Sequence, residues 1–222
     1  MLKKEILSLG VMTGIGANPM EALSKIQNFG IHTCQLGNPP DEYIYDRKSA
    51  ELNEKLKSAI EKTGMKISSV FIMYKGHIWD LIDGPRTIGL VPENTRAPRV
   101  VHACAVSNWA RKIGIKVVTS HMGFIPADNT TLLYKGFIET MKKFVVNTHC
   151  KDGRMPKPGG KLGPEMPLGE GDVHYEKVLP ALYEKGFRGP LTIEREISGA
   201  QQIEDIKNAM KLLEEIKGKI VT

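Results

Sequence analysis

The chain is predicted to be an α/β protein in which short parallel strands alternate with amphipathic helices and curl toward a barrel. Three observations carry that prediction. Glycines close helix-like stretches at Asn28-Phe29-Gly30, Thr63-Gly64, Ile113-Gly114 and Lys185-Gly186, and glycine readily takes the left-handed conformation that ends a helix. The runs that follow, Ile31 to Leu36, Met65 to Val70, Ile115 to Val118 and the one ending at Glu194, are short and apolar enough to be covered on both faces. Apolar residues also recur at helical spacing: Leu52, Leu56, Ala59 and Ile60; Leu133, Phe137 and Met141; Ile203, Ile206, Met210, Leu213 and Ile216. Helix against strand, repeated, means a parallel sheet.

An opening strand near Ile6 to Met12 brings the count to six β/α units. The Trp79 to Pro98 stretch, with three prolines and two glycines, reads as a long βα loop of the kind that carries substrate contacts or a lid. A helix from Thr130 to Phe144 then runs into the strand Val145-Val146-Asn147-Thr148-His149 with neither a glycine nor a turn residue between. That junction breaks the pattern, because a helix-to-strand reversal typically takes about two to six residues. The last strand is Pro190 to Glu194. Residues at the carboxyl ends of parallel barrel strands converge on one open face, so His149 and Glu194 are expected to meet in the active site.

Composition narrows the function. At 222 residues the chain suits one domain, since a complete α/β barrel takes roughly 250. The domain is expected to span residues 1-222, with an internal deletion at 144/145. Lys and Arg outnumber Asp and Glu by 31 to 25, a surplus that suits an anionic small substrate. It is spread without a basic run or interleaved aromatics, which argues against nucleic acid. The three cysteines, Cys34, Cys104 and Cys150, form no CxxC pattern, so neither a disulfide framework nor a structural zinc is expected. No stretch approaches the ~18 apolar residues of a membrane span, and a soluble, cytoplasmic protein with no membrane partner is the expectation.

Four segments in order carry a resemblance: Thr119-Ser120-His121-Met122-Gly123-Phe124-Ile125-Pro126; Asn147-Thr148-His149-Cys150-Lys151-Asp152-Gly153-Arg154; Pro167-Leu168-Gly169-Glu170-Gly171-Asp172-Val173; and Thr192-Ile193-Glu194-Arg195-Glu196. Together they resemble the sugar phosphate isomerase/epimerase family, with its xylose isomerase-like TIM barrel. The resemblance implies an eight-stranded barrel holding one divalent metal through a Glu, an Asp, a His and a Glu on the last four strands. His149 falls on the third of those ligands and Glu194 on the fourth. The first two have no counterpart, which agrees with two β/α units lost between Phe144 and Val145 and gives an incomplete or distorted barrel. The metal implied is manganese first, with magnesium, cobalt or zinc as alternatives, and it is expected to be weakly held by so few ligands.

Isomerising a sugar removes a proton beside a carbonyl, so the enediolate needs a cation and a placed carboxylate. Glu194 is the expected catalytic base; the resemblance implies a second glutamate opposite it, which is missing. His121, Lys151 and Arg154 are the expected substrate-binding residues, with Asp152, Gln35 and Glu196 behind them. Gly169-Glu170-Gly171 is expected to be conformational, and the methionines and the Trp109 helix face to be core. The expected partner is a small sugar or sugar phosphate, and exposed strand edges leave a homo-oligomer open. A non-catalytic binding or scaffold protein of the same fold is the alternative. An apurinic endonuclease is the weakest reading: that family carries an Asp-x-His pair where Glu165-Met166-Pro167-Leu168 stands, and the chain has only six histidines.

Overall fold

Gly30, Gly64, Gly114 and Gly186 all have positive φ, at 77, 62, 87 and 92°, so the glycine that closes each helix does what the repeat predicts. The computed structural model describes residues 6–123 and 130–221, apart from the side chains at 133, 134, 137, 138 and 142. The expected helix-face side chains of Leu133 and Phe137, and Phe124 to Pro126 of the Thr119 segment, lie outside the described residues.

The elements follow in chain order: β1 (Leu9–Thr13), α1 (Pro19–Gln27), β2 (Thr33–Leu36), α2 (Asp41–Ile44), α3 (Ser49–Thr63), β3 (Lys66–Ile72), α4 (Gly84–Thr87), α5 (Glu93–Lys112), β4 (Val118–Ser120) and α6 (Leu132–Met141). A 3-10 turn over Lys142–Phe144 leads to β5 (Thr148–Cys150), β6 (Asp152–Gly153), β7 (Glu165–Met166), α7 (Tyr175–Glu184), β8 (Leu191–Ile193) and α8 (Ala200–Ile220). Six strands make one sheet in the order β4-β3-β2-β1-β8-β5, and all of its pairings are parallel. β1 lies between β2 and β8, as the first strand of a closed barrel lies between the second and the last. The opening therefore falls between β4 and β5, where two units were expected to be missing. The sheet is a curled half-barrel, an incomplete xylose isomerase-like TIM barrel. β6 and β7 form a separate antiparallel ribbon.

Helices bury the faces their spacing predicts. Leu56 and Ala59 of α3 and Ile206, Leu213 and Ile216 of α8 are buried, and Trp109 of α5 is core, its Nε1 donating to Asn53 Oδ1 at 2.7 Å. The inner side of the sheet is partly polar. Gln35 Nε2 donates to Ser69 Oγ at 2.7 Å and Thr119 Oγ1 at 3.1 Å. Asn147 Nδ2 donates to Ser69 Oγ at 2.9 Å, while its Oδ1 accepts from Thr192 Oγ1 at 2.9 Å. The Gln35 and Asn147 amides are thereby paired with hydroxyls from other strands of the sheet, as burial requires.

Several boundaries differ from the sequence reading. The junction does contain a turn: α6 ends at Met141, the 3-10 turn follows, and Val145 to Asn147 form a link rather than the start of the strand. The expected direct run of helix into strand is corrected accordingly; a 3-10 turn needs no glycine, so Lys142-Lys143-Phe144 gave no sign of it. The end of the Trp79 to Pro98 loop is helical, with Pro98 inside α5. The opening strand starts at Leu9, and β4 begins at Val118 rather than Ile115. The methionines are not uniformly core: Met65 is buried, but Met155 is 73% exposed and Met73 39%.

Candidate active site

Strand ends and the loops after them enclose a cleft of about 960 Å³. His149 comes from the middle of β5, and Glu194 directly follows β8, its neighbour in the sheet. Parallel pairing brings the two side chains together: His149 Nδ1 lies 2.6 Å from Glu194 Oε2. The other ring nitrogen, Nε2, is hydrogen-bonded to Gln35 Oε1. Both ring nitrogens therefore already have partners.

Lys151 extends from just beyond β5, with Nζ 2.6 Å from Glu196 Oε2 and 3.6 Å from Glu194 Oε1. Burial acts to raise the Glu194 carboxyl, but the hydrogen bond and charge of His149, with Lys151 behind them, hold it down to about 2. It is thus ionised throughout the neutral range. So low a value makes a poor base until the paired cations are displaced or the cleft is desolvated further.

His121 sits apart from this pair. Its ring meets Phe71 edge-on at 4.9 Å and Trp79 at 4.8 Å between centroids, and burial lowers its pKa below the usual histidine range, against the charge of Glu194. Its Nδ1 is buried without a hydrogen-bond partner among the described residues. Arg154 is exposed at the rim and donates to Glu170 O at 3.1 Å. His149, Glu194, Lys151, His121 and Arg154 all line the one cleft.

Asp152 has a different job from the sugar contact expected of it. It is 4% exposed, and its carboxylate accepts from the backbone N–H groups of Gly153, Gly169, Gly171 and Val173 at 2.8 to 3.2 Å. It pins the Gly169-Glu170-Gly171 turn over β6. A Cβ on Gly171 would lie 2.1 Å from Asp152 Oδ1, so only glycine fits, and the conformational reading of that turn agrees with this geometry. Arg195 is likewise structural, bridging Glu165 at 2.9 Å and Asp205 at 2.7 Å.

Sequence reasoning missed the apolar wall. Phe71 is the last residue but one of β3 and Trp79 stands in the long loop, and both line the cleft. The loop was expected to carry substrate contacts, and the tryptophan within it was the available signal. Phe71 offered none, because an aromatic at a strand end reads as core.

A divalent ion fits this donor set poorly. His149 and Glu194 are two donors already bonded to each other, and no group of three His, Cys, Asp or Glu converges among the described residues. A resident divalent ion usually takes four or more ligands, more than this pair supplies.

No protein-family model matches the sequence, and no curated protein matches it significantly. Solved structures do match the fold. The chain superposes on a xylose isomerase domain protein from Planctomyces limnophilus with a TM-score of 0.75 and 24% identity, over 97% of this chain and 99% of that one. A D-tagatose 3-epimerase-like protein gives a TM-score of 0.60 at 14% identity, over 96% and 99%. The 3-keto-D-glucoside 4-epimerase from E. coli gives 0.53 at 12% identity, over 94% and 99%. These likenesses establish the xylose isomerase-like barrel fold. No described helix is long and apolar enough to cross a membrane.

Proposed function

We propose that the chain binds a small sugar or sugar phosphate in this cleft and acts on it as an isomerase or epimerase. The observation that carries the reading is the Glu194 carboxylate, paired with His149 and Lys151 in a cleft walled by Phe71 and Trp79. An aromatic wall suits the C–H face of a sugar, and the charged floor suits its oxygens. Glu194 takes the proton beside the carbonyl once a substrate oxygen has drawn Lys151 away, and Lys151 or His149 donates to the oxygen on which charge develops. Arg154, exposed at the rim, takes the phosphate in this reading if the substrate carries one.

The test is incorporation of solvent deuterium into a ketose, followed by NMR. Slow exchange that disappears in Glu194→Gln supports the reading, and exchange untouched by that substitution sinks it. Turnover far below that of an enzyme with two opposed glutamates is expected. A second reading, binding without catalysis, is favoured by the mutual satisfaction of His149 and Glu194, which leaves neither group free. Sugar binding with no exchange would select it.

A further inference from the structure

The long loop after β3 and the hairpin between β6 and β7 both reach the cleft, and they touch each other. The hairpin is closed by Arg154 N donating to Pro164 O at 3.0 Å, and it turns where Gly160 N donates to Lys157 O at 2.8 Å. Leu81 N of the loop donates to Lys161 O of the hairpin at 3.1 Å, and Lys161 Nζ lies 3.9 Å from Asp80 Oδ2. The two arms brace one another. Trp79 and Leu81 of the first and Met155 and Leu162 of the second all line the cleft, yet they are 47%, 49%, 73% and 63% exposed. Such side chains are within reach of a bound group, and covering them would remove apolar area from water.

This apolar region is continuous with the reacting pair. The rings of His149 and Phe71 lie 5.1 Å apart, those of Phe71 and His121 4.9 Å, and those of His121 and Trp79 4.8 Å between centroids. A row of rings thus leads from the partner of Glu194 to the arms. Charge enters the cleft mainly from β5, β8 and the residues just after them, as Lys151, Glu194 and Glu196. Among the described lining residues, the only charge from either arm is Arg154, whose guanidinium donates to Glu170 O at 3.1 Å and can lie against an aromatic face. At about 960 Å³ the cleft is near the top of the roughly 300–1,000 Å³ that holds drug-sized ligands. One sugar ring leaves much of it unfilled.

We propose that the substrate is an aryl glycoside, with its sugar over Glu194 and its aromatic aglycone between the arms, against Trp79, Leu81 and Leu162. A concave apolar lining continuous with a charged floor fits one molecule that is polar at one end and apolar at the other. The flat face of a second copy would not reach that floor. The inference rests on the sugar reading of the cleft and names the class of sugar derivative it takes.

Calorimetric titration of the full chain with methyl and phenyl β-D-glucopyranoside, with the same pair of β-D-galactopyranosides, and with benzyl alcohol tests it. In at least one pair the phenyl glycoside is expected to bind about tenfold tighter than the methyl one, and tighter than benzyl alcohol. Leu81→Ser and Leu162→Ser change exposed side chains, so both variants should fold, and each should shrink the ratio of phenyl to methyl affinity. Equal binding within both pairs, or a ratio that neither variant moves, overturns the aglycone compartment and leaves the sugar reading standing. Benzyl alcohol bound as tightly as the phenyl glycosides overturns the sugar reading and the glycoside with it, as does no binding by any of the five compounds. A light-scattering mass that halves in the two variants, with no phenyl advantage, overturns the proposal by assigning the patch to a second copy of the chain.

Discussion

Asn147 Nδ2 donates to Ser69 Oγ at 2.9 Å, tying the residue before β5 to β3 although those strands are not neighbours in the sheet. The same amide also donates to Ser68 Oγ at 3.2 Å and accepts from Thr192 Oγ1. A half-barrel that lacks two strands thus draws its terminal strand inward through side chains. Replacing Asn147 with Ala strands these partners, and a loss of about 1–3 kcal/mol is expected. Urea denaturation of the variant measures it; an unchanged midpoint would show that the network holds nothing together.

What the sequence made legible was local. The helix-closing glycines and the apolar faces of α3 and α8 depend on neighbours a few residues away, and they were placed correctly. His149 and Glu194 were legible because parallel strands deliver their ends to one side. Asp152 was read as a sugar contact in the loop after His149 because two of its donors, Gly169 and Val173, lie 17 and 21 residues downstream. Gln35 was only a weak candidate, since nothing near it in sequence announces its bond to a ring 114 residues away. Three-residue strands such as β4 and β5 carry too little period-2 pattern to fix their bounds.

The clamp at Asp152 predicts a large stability effect with little loss of cleft chemistry. Charge-assisted bonds to several backbone N–H groups are strong, so Asp152→Ala should cost about 2–3 kcal/mol or more. Gly171→Ala should cost a comparable amount, because its Cβ strikes the same carboxylate. Thermal melts of the two variants check this, and near-native melting of either would remove Asp152 from its anchoring role.

Manganese should bind only weakly, through His149 and Glu194, since it must first part the pair that joins them. His149→Ala and Glu194→Gln should each abolish that binding. Metal content after dialysis is the measurement, and equal content in wild type and both variants would rule out a shared site.

Acid should destabilise the fold in two windows. Burial and the charge of Arg99 lower His77 from 6.5 to about 4. The unfolded chain therefore takes up a proton that the folded one refuses, and stability falls as pH drops from 6.5 toward 4. Glu194 lies below its ordinary value of 4.5 in the fold, at about 2, so its contribution is whole above 4.5 and is lost as pH falls toward 2. Melting curves of wild type and Glu194→Gln should differ most at neutral pH and converge near pH 2, and His77→Gln should flatten the upper window. A constant gap between wild type and Glu194→Gln at all pH values would contradict the ion pair.

Self-association is expected at the opening of the half-barrel. β4 and β5 are the terminal strands of the sheet, and three successive apolar side chains beside β5, Phe144, Val145 and Val146, are 61%, 47% and 47% exposed. Terminal strands present unpaired backbone groups that invite another chain, and apolar area removed from water stabilises at ~25 cal/mol per Å². A second copy of this chain offers the same edge and the same three side chains, so a symmetric pair would cover both. The expected result is a dimer whose light-scattering mass falls to that of a monomer when Val145 or Val146 is replaced by Lys. Against this stands the inward pull of Asn147 on β5, which narrows the opening from inside. A wild-type chain that stays monomeric across micromolar concentrations and melts cooperatively would mean that this polar bridge alone closes the gap.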